Sequence, residues 1–300
     1  MTIGLDSLPL VRPVQVGSIR VHALEAGLQR LDGGAMFGVV PKPLWEKRIP
    51  GDERNRIPLA MRCLLIEAPD ALVLVDTGAG NKESARFRDL YGIENPGSPT
   101  RLEDAIRAAG FDPADVDVVL NTHLHFDHAG GNTTLGPDGQ VVPSFPKARY
   151  VVNGKELEFA HRDNERIRAS YVRENFVPLE QAGRWEMVEA DARVTPGVRL
   201  LSTPGHTPHH QSVLVESDGQ TLCFLADVCP TSAHLPLPWI MGYDLEPLVT
   251  LESKRSLWER AKREAWLLVF EHDPVVPWGR LDPAADRPQL LEESVPGAAS

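Results

Sequence analysis

Five short apolar runs in this chain each lead to a carboxylate or an imidazole: ALVLVD to Asp76, TLCFLAD to Asp227 and WLLVFEH to His272 at the run's end, VVLNTH to His123 and LLSTPGH to His206 after a few polar or turn residues. Runs of Val, Leu and Ile without polar alternation read as strands covered on both faces. Such strands need layers of sheet and helix packed on one another. Open α/β sheets build their sites outside the carboxyl ends of the strands. The pattern therefore predicts one edge of the molecule where these side chains meet.

Strands are expected over 16–23, 61–67, 71–76, 117–122, 149–153, 198–202, 212–215, 221–226 and 265–271. Helices are expected over 99–109, 155–162, 165–175 and 246–264. The first has Ser98 as cap and Pro99 in its first turn; the last places Leu248, Leu251, Trp258 and Ala261 on roughly one face. No repeat or Pro/Gly/Ser linker divides the sequence, so residues 1–300 read as one domain. Two irregular stretches carry large apolar residues: 36–58, read as an entrance loop, and 230–243. The Pro/Ala/Glu-rich end, 282–300, reads as a frayed tail.

Composition removes several function classes. The formal net charge of -11 is a poor match for a nucleic-acid backbone. Cys63, Cys223 and Cys229 sit mostly in apolar runs, which suits buried thiols in a reducing compartment better than a disulfide framework. The N-terminus lacks a basic region followed by an apolar one, and no apolar run is long enough to span a bilayer. The expectation is a cytoplasmic protein with no membrane partner. Its assembly is left open, with a homodimer as one arrangement.

The segment VVLNTHLHFDHAGG, 118–131, carries most of the chemistry. Residues two apart at an extended strand end share a side, so His123 and His125 can hold one cation. Asp127 and His128 follow in a turn, where they can address a second. Gly130 and Gly131 are expected to let the backbone turn tightly beside them. Downstream, His206 follows Pro204-Gly205 and can complete a three-histidine set. Asp227 ends an apolar strand, where a carboxylate must be paired or metal-bound, and a bridging position suits it. Glu271 and Asp273, beside His272, read as solvated neighbours. Asp76 fits a supporting position, accepting from a ligand histidine, or a turn cap; of His209 and His210, polar loop residues otherwise, His210 is assigned to orient a ligand.

The run His123-Leu-His125-Phe-Asp127-His128, followed in order by His206, Asp227 and His272, resembles the metallo-β-lactamase superfamily. The resemblance spans roughly 19–274. It implies a four-layer αβ/βα sandwich with a dinuclear metal site at one edge of the two sheets. One ion would be held by His123, His125 and His206, the other by Asp127, His128 and His272, with Asp227 bridging. Within the superfamily, HLHFDHAGG and STPGHTPHHQSVLV are most similar to the acyl-homoserine lactonases and their organophosphate-hydrolysing relatives, and MFGVVPKPLWEK resembles the entrance loop of the latter. Two positions depart from the lactonase pattern: no tyrosine follows Asp227 until Tyr243, and His209 stands where glycine is usual.

The expected activity is that of a lactonase or esterase, extending to phosphotriesters. A hydroxide shared by two divalent cations would attack a lactone or ester carbonyl. Zinc suits the imidazole and carboxylate donors; manganese, iron and cobalt also fit. Asp127 is assigned to orient the hydroxide or pass a proton, and His234 to donate to the leaving group. Met36, Phe37, Trp45, Leu235, Trp239 and Ile240 are assigned to the wall for a small substrate with an apolar portion. The alternatives are a thioesterase of the glyoxalase II type and a non-catalytic metal-dependent binding or sensor protein.

Overall fold

Strands with apolar side chains on both faces need cover on both faces, and the computed structural model, which describes residues 3–95 and 97–291, supplies it with two stacked sheets and outer helices. The first sheet orders β1 (Val11–Val16), β2 (Ile19–Asp32), β3 (Arg56–Ala68), β4 (Ala71–Val75), β5 (Val118–Leu120), β8 (Arg149–Asn153) and β9 (Trp185–Val188). A small hairpin of β6 (Thr133–Leu135) and β7 (Val141–Pro143) branches off between β5 and β8. The second sheet orders β10 (Arg193–Thr195), β11 (Val198–Ser202), β12 (Gln211–Ser217), β13 (Gln220–Phe224), β14 (Leu267–Val269) and β15 (Trp278–Gly279).

The period-2 alternation sorts β4 between layers. Val73 and Val75 join Leu64, Ile66, Val118 and Leu120 against Val213, Val215, Phe224 and Val269 of the other sheet. Leu72 and Leu74 point the other way, under Leu102, Ala105 and Ile106 of the helix Arg101–Ala108. On the second sheet Leu214, Cys223 and Leu268 pack outward against Leu257, Trp258 and Ala261 of the helix Pro247–Arg263. The expected αβ/βα layering is therefore present, with the largest core between the sheets. All three cysteines are buried and free, as expected.

Several local expectations are corrected. The strand expected over 16–23 crosses a hairpin turn at Gly17-Ser18, between β1 and β2. The first helix takes Thr100, not Ser98, as its cap, because Thr100 and Glu103 form a reciprocal capping box. Residues 165–175 form turns and a short 3-10 segment, not a helix. The helix Pro247–Arg263 leaves Leu248 exposed and buries Lys254 instead, whose ammonium donates to the carbonyls of His234, Pro236 and Trp239. The entrance segment contains two short helices, Gly33–Phe37 and Lys42–Trp45. Of the expected frayed tail, 282–291 folds back, with Asp282 N–H donating to Gln289 and Leu291 N–H to Arg280; residues 292–300 lie outside the described residues. Among the described residues, no helix is long and apolar enough to cross a membrane.

Candidate metal centre and pocket

Parallel pairing of β4 with β5 and of β13 with β14 sends four strand ends in one direction. Asp76 follows β4, His123 to His128 follow β5, Asp227 follows β13 and His272 follows β14. Asp76 and Ala226 take positive φ, 54° and 48°, as each loop turns out of its strand. Gly130 and Gly131 lie in the tight 3-10 turn Gly130–Asn132, as expected, and neither has positive φ. They permit close approach: a Cβ on Gly130 would lie 2.1 Å from the Ala79 carbonyl oxygen, and one on Gly131 2.3 Å from that of Thr77.

The structure brings all seven expected ligands together, all buried. His123, His125, His206 and Asp227 form one group of converging donors; Asp127, His128 and His272 form another. Asp227 straddles the two. Its Oδ2 lies 3.0 Å from His206 Nε2, and its Oδ1 lies 3.1 Å from His272 Nε2. Ring nitrogens also face one another: His206 Nε2 and His125 Nδ1 at 3.1 Å, His272 Nε2 and His128 Nε2 at 3.3 Å. Tetrahedral ligands about 2.0–2.1 Å from a zinc ion stand at separations of this size. His123 Nε2 and Asp227 Oδ1 are buried without a hydrogen-bond partner. Lone pairs aimed at common points, with unsatisfied acceptors among them, call for a positive centre. The donor set fits divalent cations.

The far side of four of the five rings, those of His123, His128, His206 and His272, is anchored, which leaves the inward nitrogen free to ligate. His206 Nδ1–H donates to Asp244 (2.9 Å) and His272 Nδ1–H to the Ala60 carbonyl (2.7 Å). His128 Nδ1 lies 3.1 Å from both Asp76 and Glu271. His123 Nδ1–H donates to the Thr122 hydroxyl, which itself donates to Asp76. The expected supporting position of Asp76 thus serves one histidine of each group. His210 supports a different target from the one expected. It touches no ligand ring by hydrogen bond; its Nε2 accepts from the backbone N–H of Asp227 at 3.1 Å, while Nδ1–H points to Thr203. Burial, followed by the neighbouring His206, lowers His210 to about 3, keeping it the neutral acceptor this bond needs.

Burial and mutual repulsion hold His123 and His125 well below the ordinary imidazole range. Burial also opposes charge on His206 and His272, but Asp227 overrides it and raises them to about 10 and about 9. Asp227 itself resists burial through the same histidines and sits well below the usual carboxylate range.

Above the donors lies a cavity of about 180 Å³. Its floor includes His125, Asp127, His206, Asp227 and His272; Leu31, Met36, Phe126, Ile167, Met241 and Leu245 supply apolar wall, and Tyr91, Tyr243 and Arg166 polar edges. Of the six expected wall residues, only Met36 lines it. Phe37 and Trp45 stack on one another, Trp239 meets Phe37 edge-on, and all three belong to the packing under the entrance segment. The Ile240 carbonyl lies against Gly38, and Ile240 is outside the wall. Leu235 and Trp239 instead line a separate surface cavity of about 780 Å³, where the described residues form no ligand cluster. The same holds, among the described residues, for a further cavity of about 580 Å³ at Arg48 and Arg56.

His234 is also corrected. It is fully buried, and its ring nitrogens bond the Thr231 hydroxyl (2.8 Å) and the Met36 carbonyl (2.9 Å). It lies outside the cavity wall and clamps the entrance segment instead of facing a leaving group. Glu271 and Asp273 are buried, not solvated: Glu271 faces His128, and Asp273 accepts from Ser232, Val275 and Val276. Sequence reasoning missed Asp244, Gln29, which donates to Asp127, and Glu156, which accepts from Tyr171 (2.7 Å) and Thr207 (2.8 Å) between the ligand loops. These partners lie far away along the chain and carry no local motif.

Comparison with known proteins gives three findings. The pattern of the metallo-beta-lactamase superfamily matches residues 58–272. An N-acyl homoserine lactonase of Bacillus thuringiensis subsp. kurstaki is 31% identical over 226 residues, covering 72% of this chain and 82% of that protein. Among solved structures, a probable metal-dependent hydrolase from Staphylococcus aureus superposes with a TM-score of 0.84 at 29% identity, covering 94% of this chain and all of the other. An N-acyl homoserine lactone hydrolase, solved with N-hexanoyl-L-homoserine at its catalytic metal centre, gives 0.64 at 27% identity over 87% of this chain and 94% of that one.

Proposed function

The chain belongs to the metallo-beta-lactamase superfamily and is a metal-dependent hydrolase of the lactonase type; from that premise we propose that it opens the ring of N-acyl homoserine lactones with two zinc ions. The observation that carries this reading is Asp227, shared between two converging donor groups at the floor of an apolar-walled cavity. When bound, divalent cations there would acidify a water and polarise a carbonyl oxygen. The imidazole and carboxylate donors suit zinc, and the second donor group supports the reading of a second ion.

The protein's own groups supply the rest. Met36, Ile167 and Leu245 form apolar surface for an acyl chain, removed from water as it binds. Asp127 is held by Gln29 at the cavity floor, where its carboxylate can orient water and carry a proton to the leaving alkoxide. His210 and Asp76 fix the donors before substrate arrives, so little reorganisation is left for the reaction. The buried free thiols support a reducing, cytoplasmic location.

The test is metal analysis followed by a hydrolysis panel on reconstituted protein: lactones of varied acyl length, aryl esters, thioesters and a phosphotriester. Ring opening of acyl homoserine lactones with two ions per chain is expected. Asp227→Ala should lower kcat/KM by about 10²–10³-fold or more, the size of losing a preorganised charge-stabilising group. Turnover of thioesters alone would point to a thioesterase. Two bound ions with no turnover at all would favour the binding protein.

A further inference from the structure

His272 follows a strand of the second sheet, yet its loop is held by the first. Ala60 N–H of β3 donates to the His272 carbonyl at 3.1 Å, and Arg62 N–H to that of Glu271 at 3.2 Å. The Arg62 side chain adds a second layer. Its guanidinium donates through Nη1 to the Phe270 carbonyl and through Nη2 to that of Asp273, at 3.0 Å. One rigid fork thereby brackets the loop on both sides of Glu271 and His272. Arg62 Nε donates to Glu25 at 2.8 Å, and Nη2 reaches the same carboxylate oxygen. Glu25 stands where the β2–β3 register shifts, between Glu25 and Leu28.

The pair is poorly built for stability. Both side chains are 1% exposed, so both charges are stripped of water, and the second Glu25 oxygen has no hydrogen-bond partner. A buried pair of this kind is often no better for stability than apolar residues of similar volume. What it does supply is geometry: a planar fork fixes the spacing of two carbonyls that flank a ligand. We propose that Arg62, oriented by Glu25, is a positioning residue for the His272 loop, and that it sets cation affinity at the Asp127, His128 and His272 group.

The inference rests on the two-ion reading. It is tested by zinc titration of chelator-stripped protein and by thermal melting of the same stripped samples. The Glu25→Leu/Arg62→Met double variant leaves neither charge unpaired. His272→Ala identifies the isotherm step belonging to that group. The double variant is expected to weaken that step by roughly 10–100-fold, the range for losing an outer partner of a metal ligand. The other step should stay close to wild type; the melting temperature of stripped protein should fall somewhat, because the Phe270 and Asp273 carbonyls lose their donor, with no matching loss at the other step. Arg62→Lys keeps the charge but cannot span both carbonyls, so it should weaken the same step alone; it decides the matter if the double variant does not fold. Wild-type affinity at both steps in Arg62→Lys would overturn the proposal. So would a parallel loss at both steps together with melting temperature, which is the signature of a merely structural pair. Wild-type protein that takes up only one ion would instead remove the two-ion reading, and the inference with it.

Discussion

One carboxylate, Asp76, controls two rings: His128 reaches it directly and His123 through the Thr122 hydroxyl. His206 has a support of its own, Asp244, through the 2.9 Å bond to Nδ1. Asp244→Asn keeps the volume but removes the charge that holds the ring with its proton outward. Zinc affinity of the His206 group should fall by roughly 10–100-fold while the fold is retained. Unchanged affinity in a metal titration would show that the ring is held by packing alone. His234 makes the opposite case. With its ring nitrogens bonded to Thr231 and Met36 and its ring stacked on Phe37, it is a clamp. Burial lowers it to about 3, so at neutral pH it is a neutral imidazole whose one N–H is committed to the Met36 carbonyl. His234→Phe keeps the stack and leaves two buried partners unpaired, which should lower stability by about 1–3 kcal/mol. The pH profile of kcat should not move. A lost acidic or basic limb would return His234 to the reaction.

Between elements, Glu156 is the pin. At the start of the helix Gly154–Ala160 it accepts from Leu124 N–H, Tyr171 and Thr207, joining the loop after β5 to the loop of His206. Burial raises its carboxyl above the ordinary value of 4.5, although three donors oppose the shift. The folded state then holds a proton that the unfolded chain releases. The stabilising contribution is complete below pH 4.5 and is lost as pH rises through the folded value. Melting curves of wild type and Glu156→Gln should therefore diverge in the variant's favour as pH rises above 4.5. A gap that moves the other way would mean that the ionised carboxylate is the form its donors stabilise. Glu156 also shows where sequence reading stops. His123 to His128 announce themselves because spacing of two at a strand end is a local signal, and His206, Asp227 and His272 because each follows an apolar run. Glu156 contacts residues 32, 15 and 51 positions away, and Gln29 meets Asp127 across 98. Such pairings are made by topology. The wall residues failed for a related reason: Phe37, Trp45 and Leu235 are large, apolar and in irregular segments, and nothing local separates packing under a loop from facing a substrate.

For the whole molecule, the ligands divide between the sheets. His123, His125, Asp127 and His128 leave the first; His206, Asp227 and His272 leave the second. Each donor group draws on both, so a cation in either ties the two layers together at their open edge. The layers also have a core of their own. The core between them, from Val21 and Val73 to Val213 and Phe224, is buried throughout. This differs from small zinc domains, whose folding free energy is mostly metal binding. Chelation should therefore abolish hydrolysis while leaving a cooperatively melting protein with native far-UV circular dichroism. The melting temperature should fall on stripping and rise again with added zinc. The size follows from linkage: free metal at a hundred times its dissociation constant adds about 2.7 kcal/mol per site. Melting of the stripped and reloaded protein, followed against free zinc, measures it. A stripped chain without cooperative melting would mean that the inter-sheet core is insufficient alone. A melting temperature indifferent to zinc, with activity restored, would mean that the unfolded chain binds the cation about as tightly as the folded one, so that the converging donors add nothing to affinity.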